Sequence, residues 1–321
     1  MSRRAVLGGL TTVAVGAAAM WIARPPKSEG TPRVDLERQG FRRRDLPTPV
    51  GRVAVYEAGE GSPLLLLHGV GGGASSFYWY RIAPKLAQRY RVIAPDWVGF
   101  GASDHPARPI LFDDYVTQIR AIAADVQSPF GAVAQSLAVG FIIAAMRNGG
   151  AKVERLAMLA PSGGFDFGVD AFDPLARNTL SRIAAVPGVN RAFYRALFHR
   201  RGAIQDWFEK SGFLDPAMVP SEVVDAGLFS SRQPNAAYAA LPFLTGELRY
   251  DLAPLLRELH VPGLMLWGSD EIQIRPPIRE RLERVNTDIP VIRIAKARSN
   301  FELEQPDATL AALEPFLGNP R

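Results

Sequence analysis

Hydrophobic and polar positions follow two different periods from about residue 40 onwards, where short apolar runs alternate with amphipathic stretches. The run PLLLLHG at 63–69 is almost continuously apolar and ends in glycine, as expected of a strand that is buried on both faces. The stretch FDDYVTQIRAIAADV at 112–126 has the helical period, with acidic residues in its first turn, where they oppose the helix dipole. This alternation predicts βαβ units and an α/β fold with a mostly parallel central sheet flanked by helices.

Other segments extend the same alternation along the chain. Further strands are predicted at RVAVYEAG (52–59), RVIAPDW (91–97), FGAVAQ (130–135), VERLAMLAPSGG (153–164), VPGLMLWGSDE (261–271) and IPVIRIAKARS (289–299). Further helices are predicted at SSFYWYRIAPKLAQRY (75–90), SLAVGFIIAAMRNGG (136–150) and DATLAALEPFLG (307–318). Residues 165 to about 250 interrupt the alternation with helical segments rich in Phe, Tyr and Trp, and we interpret them as a helical lid inserted between two strands of one sheet.

The first 24 residues have the pattern of a targeting segment. Ser2-Arg3-Arg4 precedes the uncharged, largely apolar run Ala5–Ala23, which resembles a twin-arginine export signal. The run is also just long enough to span a bilayer, so cleavage of a signal and retention as a membrane anchor both stay open. We therefore predict an exported protein that is periplasmic or anchored facing outward, with a linker at 25–40 and one α/β domain with a helical lid at 41–321.

Charge is concentrated at the N-terminus. Residues 1–44 contain nine basic and three acidic residues, whereas the whole chain has a net charge of +5, so the body has no basic surplus. Nucleic-acid binding is therefore not expected. The chain has no cysteine, which excludes disulfides and thiolate metal sites, and we expect no metal and no cofactor.

The segment AVAQSLAVG contains the first candidate chemistry. A strand, then Ser136, then immediately a helix is the arrangement of a nucleophile elbow, in which a sharp turn exposes the serine hydroxyl. The turn needs small residues two positions before and after the serine, and these are Ala134 and Ala138 instead of the usual glycines. A serine at the N-cap of an ordinary helix would give the same local pattern.

A glycine-rich loop follows the predicted strand at 63–67. His68-Gly69 and three further glycines lie in LLLLHGVGGG, and such a loop lets backbone N–H groups point at an oxyanion. We expect Val70, beside Gly69, to supply one donor and Leu137, just after the serine, to supply the other. A glycine-rich turn without a ligand is the alternative interpretation.

Five segments in one colinear series resemble the α/β-hydrolase superfamily of the lid-bearing type. They are HGVGG, PDWVGFGASD, the elbow around Ser136, LMLWGSDE and ELEQP, and the resemblance runs from about residue 40 to the C-terminus. It implies the α/β-hydrolase fold and a triad in the chain order serine, acid, histidine. Ser136 matches the nucleophile, and the acid position falls on Glu271, with Asp270 beside it as a rival.

The position of the catalytic base departs from the pattern of the superfamily. Counting back from LEQP, the resemblance places it at Ser299, and no histidine occurs between 261 and 321. The four histidines of the chain are His68, His105, His199 and His260, and we expect none of them to replace it. The predicted triad is therefore degenerate, because no group of near-neutral pKa is available to accept the serine proton.

Two functional hypotheses follow. In the first, the chain is an exported serine hydrolase, similar to esterases and lipases, with weak or unusual activity on a small apolar substrate. In the second, it is a non-catalytic member that binds an apolar small molecule or a protein partner. Both hypotheses expect an apolar cavity over Ser136 that is lined by aromatic residues of the lid. Alternatively, these aromatic residues form the hydrophobic core of the lid itself. They are Phe165, Phe167, Phe172, Phe193, Tyr194, Phe198, Trp207 and Phe208. Membrane association through the N-terminal segment is a further expectation, and the oligomeric state stays open.

Overall fold

The computed structural model describes residues 35–165 and 189–318, except for the side chains of Asn190 and Phe193. One sheet contains all eight strands of this part of the chain. They are β1 (Arg42–Pro47), β2 (Arg52–Ala58), β3 (Pro63–Leu67), β4 (Arg91–Pro95), β5 (Phe130–Gln135), β6 (Val153–Leu159), β7 (Gly263–Gly268) and β8 (Val291–Ile294).

The strand order is β1-β2-β4-β3-β5-β6-β7-β8. β1 pairs with β2 and β2 with β4 in antiparallel fashion, and every pairing from β4 to β8 is parallel. The predicted mostly parallel sheet is thus confirmed. Because parallel strands are covered by helices on both faces, their sequences are nearly continuous in apolar residues, and all six residues of β7 are buried.

Helices in the described ranges flank this sheet or lie in the insertion between β6 and β7. They are α1 (Ala83–Leu86), α2 (Phe112–Val126), α3 (Ala138–Met146), α4 (Val189–Phe198), α5 (Arg201–Trp207), α6 (Ser221–Ser231), α7 (Ala237–Thr245), α8 (Leu252–Arg257), α9 (Pro276–Val285), α10 (Phe301–Glu304) and α11 (Pro306–Leu317). Short 3₁₀ turns occupy Leu36–Gln39, Ser76–Trp79, Arg147–Gly149 and Pro216–Met218, and a π turn continues α5 at Phe208–Gly212.

The predicted and observed elements differ most at 75–90. The helical period there predicts one helix, but the structure has the 3₁₀ turn Ser76–Trp79 and the single turn α1. Trp79 and Ile82 are completely buried, so the segment is enclosed by protein and follows the surface it packs on. Tertiary packing has overridden the local preference, as is common for short segments.

The main hydrophobic core includes a residue that precedes position 41. Leu36 lies in the predicted linker 25–40, yet its side chain is buried and belongs to the main hydrophobic core. The predicted leader, residues 1–24, lies outside the described residues. Within 35–165 and 189–318 no helix is long and apolar enough to cross a membrane.

The insertion between β6 and β7 contains helices α4 to α8 from residue 189 onwards. Its residues 166–188 lie outside the described part of the chain. The carboxyl ends of the parallel strands open towards one edge of the sheet, which is where ligands bind in α/β folds. The loops after β3, β5, β7 and β8 meet there.

Candidate active site

The turn after β5 holds Ser136 in a strained conformation. Its backbone φ is 55°, in the left-handed region that non-glycine residues adopt at a cost. Two hydrogen bonds fix the turn: the Ser136 N–H donates to the carbonyl of Leu159 at 2.9 Å, and the N–H of Ser162 donates to the Ser136 carbonyl at 3.3 Å. The predicted elbow is therefore present as backbone geometry, which an ordinary helix N-cap does not require.

Tyr250 braces the same turn from the insertion side. Its hydroxyl donates to the carbonyl of Leu137 at 2.6 Å and accepts the N–H of Gly140 at 3.2 Å. Gly140 is required for this contact, because a Cβ there would lie 2.2 Å from the tyrosine ring. Ala134 and Ala138, which replace the usual glycines, are fully buried against the turn.

The glycine-rich loop after β3 passes close to both Ser136 and the insertion. A Cβ on Gly69 would lie 3.3 Å from the Ser136 Cβ, and one on Gly72 would lie 2.1 Å from the Phe198 ring. Gly73 has a φ of 89° and would bring a Cβ within 2.5 Å of a backbone oxygen of Gly227. The glycines therefore serve close packing as well as backbone freedom.

The structure corrects part of the predicted oxyanion site. The N–H of Gly69 donates to Oε1 of Gln135 at 3.2 Å, so Gly69 has no free amide to offer a ligand. The amides of Val70 and Leu137 donate to no acceptor within 35–165 and 189–318. Val70 lines the cavity above Ser136, and Leu137 directly follows the serine. These two amides remain the predicted donors.

The residue at the base position contacts the predicted acid. The Ser299 hydroxyl donates to Oε2 of Glu271 at 2.5 Å. Oε1 of Glu271 accepts the N–H groups of Gln273 at 2.5 Å and Ile274 at 3.1 Å. Asp270 is exposed and accepts the Ser269 hydroxyl instead, so Glu271, which is buried, is the candidate acid that contacts Ser299.

None of the four histidines lines the cavity that contains Ser136. His68 is buried and neutral: Nδ1 donates to the Gly69 carbonyl at 2.7 Å, and Nε2 accepts the N–H of Trp97 at 3.2 Å. Burial lowers the pKa of His68 to about 3 and that of His105 to about 4. Burial, together with nearby Arg195, lowers the pKa of His199 to about 4, and His260 is exposed.

A cavity of about 280 Å³ lies over Ser136, near the lower end of the range for small-molecule sites. Its floor comes from the sheet loops and its roof from the insertion. The roof residues are mainly apolar: Phe198, Ile204, Trp207, Phe208, Phe243 and Leu244. The polar side chains in its wall are all uncharged: Tyr78, Gln135, Ser136, Gln273, Ser299 and Asn300.

Three of the predicted lid aromatics line this cavity, namely Phe198, Trp207 and Phe208. Tyr194 packs instead in a separate cluster within the insertion, and Phe165 is 45% exposed. Phe167 and Phe172 lie outside the described residues, as does the side chain of Phe193. The aromatic composition of the insertion therefore serves both a ligand cavity and the insertion's own packing.

A buried carboxyl group lies behind the cavity wall. Glu302 is completely buried, and its Oε1 accepts Nε2 of Gln135 at 2.9 Å and Nδ2 of Asn300 at 3.3 Å. Burial raises the pKa of Glu302 to about 8, with Glu304 nearby adding to the increase, so the group is largely a neutral acid at pH 7. Gln135 thereby connects Glu302 to the Gly69 amide, and the chain of contacts joins the loops after β3, β5 and β8.

Sequence reasoning assigned no role to Gln135, Tyr250 or Glu302, and it placed Asn300 only alongside the base position. Gln135 directly precedes Ser136, and Asn300 directly follows Ser299. Their positions next to the elbow and the base position are the sequence feature that indicates a place in the site. Glu302 gave the opposite signal, because an acid in the short pattern FELE is normally assigned to an exposed helix face.

Comparison with known proteins gives one consistent family. A model described as the alpha/beta hydrolase family matches residues 64–313. Haloalkane dehalogenase 2 of Mycobacterium tuberculosis is 28% identical over 292 residues, which cover 87% of this chain and 96% of that protein. Among solved structures, a bacterial membrane phospholipase A has a TM-score of 0.69 at 19% identity and 98% coverage of both chains. An esterase from Thermogutta terrifontis has a TM-score of 0.68 at 20% identity, covering 86% of this chain and 98% of its own.

Replacing Ser136 by glycine should relieve the strain of its turn. We expect Ser136→Gly to have a free energy of unfolding about 1 kcal/mol higher than Ser136→Ala, because both lose the hydroxyl but only glycine adopts a φ of 55° without penalty. Urea unfolding of the two variants measures the difference. Equal stability would show that the turn relaxes when the hydroxyl is removed.

Glu302→Gln should change how stability depends on pH. The pKa of Glu302 is raised from 4.5 to about 8 on folding, so the folded chain binds an extra proton between these values and its stability falls as pH rises. The expected loss is up to about 1.4 kcal/mol per pH unit, and Glu302→Gln should lack it.

Urea unfolding between pH 5 and 8.5 tests this expectation. Glu280→Gln, on the exposed side of α9, is the matched loss of one acid, and its profile should follow that of the unsubstituted chain. Parallel profiles for Glu302→Gln and the unsubstituted chain would contradict the assignment of a neutral buried acid.

Proposed function

Because the chain belongs to the alpha/beta hydrolase family, we propose that it binds a small apolar ester over Ser136 and hydrolyses it slowly. The observation that carries the proposal is the strained turn at Ser136. A φ of 55° at a serine facing an apolar cavity is costly to maintain and has no role in ordinary packing. The insertion acts as the lid of this site.

The chemistry expected of the site is acyl transfer. Ser136 attacks the ester carbonyl, and the amides of Val70 and Leu137 stabilise the oxyanion that develops. An ester suits this arrangement better than the haloalkane named for the Mycobacterium tuberculosis relative. Displacement of halide forms no oxyanion for the two amides to stabilise, and an unassisted serine hydroxyl is an uncharged, weak nucleophile.

Slow turnover follows from the base position. Ser299 gives its only hydroxyl proton to Glu271, and its hydroxyl has no pKa near neutrality with which to accept the proton of Ser136. When a triad member is missing, binding and the oxyanion site still leave catalysis of roughly 10³–10⁴-fold over water. We therefore place the activity at that level.

A second candidate function is binding without turnover. It is favoured by the Ser299–Glu271 contact, because this hydrogen bond satisfies the acid without any base between it and Ser136. In that case the cavity holds an apolar small molecule, and Ser136 is a polar contact in its wall.

Ester turnover separates the two functions. We expect 4-nitrophenyl butyrate to be hydrolysed slowly and a fluorophosphonate to label Ser136 slowly, both reactions being lost in Ser136→Ala. Release of bromide from 1-bromobutane, the parallel test of dehalogenation, should be undetectable. Binding of the ester without turnover or labelling would establish the second function instead.

Ser299→His should restore the missing base. The imidazole would adjoin Glu271, which now accepts the Ser299 hydroxyl, and we expect ester turnover to rise by roughly 10²–10⁴-fold. Ser299→Gln, of similar size but without a titrating nitrogen, is the control and should give no increase. If both variants stay equally slow, absence of the base does not limit the activity.

We also propose that residues 1–24 export the chain. The support is the pair Arg3-Arg4 before nineteen uncharged residues. We expect the full chain, expressed in a bacterium with twin-arginine export, to be found outside the cytoplasm, and Arg3→Lys with Arg4→Lys to retain it inside. Cell fractionation measures the location, and intact mass distinguishes a cleaved signal from an anchor.

A further inference from the structure

The part of the cavity wall at the base position is rich in hydrogen-bond acceptors. The single proton of the Ser299 hydroxyl goes to Glu271, so Ser299 Oγ can present only lone pairs to the cavity that it lines. Both carboxylate oxygens of Glu271 already accept hydrogen bonds, because Oε2 accepts the Ser299 hydroxyl and Oε1 accepts two backbone N–H groups. Any ligand group that forms a hydrogen bond with Ser299 Oγ must therefore be a donor.

Asn300 adds a second acceptor beside Ser299. It lines the same cavity, it is 2% exposed, and its Nδ2 is used by Glu302. Its Oδ1 is buried and accepts from no donor within the described residues. A buried oxygen without a donor is unusual in a folded protein and marks a place where an unseen group could donate. We call Ser299 and Asn300 together the acceptor subsite.

The acceptor subsite lines the same cavity as Ser136. Ser299 donates a hydrogen bond to Glu271, as one ring nitrogen of a triad histidine does to its acid. The second ring nitrogen of such a histidine accepts the serine proton, and the side chain of Ser299 has no equivalent group. Ser136 faces the same cavity, and no charged side chain lines it among the described residues. A ligand that lies between the acceptor subsite and Ser136 and acts as a base would need two features. It needs an N–H group to donate to the two acceptors, and an unprotonated nitrogen to accept the proton of the Ser136 hydroxyl.

We propose that the acceptor subsite binds an imidazole-like nitrogen ring that comes from outside the chain and acts as the general base for Ser136. The proposal rests on the proposed esterase function for its catalytic part and on the two acceptors for its binding part. The ring is either part of the ester substrate or a separate small molecule.

The reaction balances with this ring in place. The ring N–H donates to Ser299 Oγ or Asn300 Oδ1, and the bare nitrogen takes the proton of Ser136 as Oγ forms a bond to the ester carbonyl. The C–O bond to the leaving group breaks, and the ring returns the proton to the departing alkoxide. A water then attacks the acyl group while the ring takes its proton and passes it to Ser136. Glu271, behind Ser299, stabilises the positive charge that the ring carries in between.

Imidazole and 1-methylimidazole are the matched probes, since both have a basic nitrogen and only imidazole has an N–H. With the full chain at neutral pH, we expect imidazole to accelerate fluorophosphonate labelling of Ser136 by about tenfold or more and to saturate. 1-Methylimidazole should give only a small increase proportional to its concentration. Direct binding of imidazole is followed by ligand-observed NMR.

Ser299→Ala and Ser269→Ala separate the subsite from a general solvent effect. Ser299→Ala removes one acceptor and should weaken imidazole binding about tenfold, whereas Ser269 is exposed near the end of β7 and its replacement should leave binding unchanged. Equal, non-saturating acceleration by both probes, unaffected by Ser299→Ala, would overturn the proposal.

The result also separates the subsite from the proposed function. Ser299-dependent binding of imidazole without labelling of Ser136 would support the subsite and refute the esterase function. Labelling that is indifferent to imidazole would support the function and refute the subsite. The 4-nitrophenyl ester of 3-(imidazol-4-yl)propanoate, measured against Ser136→Ala as background, locates the ring. Turnover without added imidazole assigns it to the substrate, and turnover only with added imidazole assigns it to a separate ligand.

Discussion

A chain of buried hydrogen bonds holds the site together. The Gly69 amide donates to Gln135, and Gln135 donates to Glu302, which also accepts from Asn300. These contacts join loops that are far apart in the chain and follow three different strands of the sheet. Because each partner is buried, an unmade bond would leave a polar group without water, at a cost of about 1–3 kcal/mol. The network therefore fixes the glycine loop relative to the elbow and the base position.

The contact between Ser299 and Glu271 distinguishes this site from a complete triad. In a complete triad the acid orients a base, whereas here the acid is satisfied by a hydroxyl that cannot serve as one. The hydrogen bonds of Glu271 are made within the chain, and the strained Ser136 lines the same cavity as Ser299. No histidine lines the cavity, so within the described residues no imidazole is placed to accept a proton from Ser136.

The insertion forms the apolar roof of the cavity and also contacts the loops at the site. Glu304 accepts the N–H groups of Leu214 and Asp215 in the insertion, and its other oxygen accepts the N–H of Arg298. Tyr250 reaches from the end of the insertion to the elbow. A change in the insertion can therefore alter the position of the site residues as well as the shape of the cavity.

Sequence alone determined the fold, the place of Ser136 and the absence of a histidine at the base position. These follow from local patterns: apolar runs specify buried parallel strands, and a strand that leads directly into a helix specifies the turn between them. The period of 112–126 predicted α2 with its observed bounds, whereas 75–90 did not form one helix, because burial on several sides outweighed its period.

Tertiary structure alone decided which groups meet. It selected Glu271 over Asp270, because the direction of a side chain after β7 depends on the loop that packs against it. It assigned the Gly69 amide to Gln135, and it buried the carboxyl group of Glu302. Contacts between residues far apart in the chain depend on how the sheet brings its loops together, and a linear pattern does not contain that information.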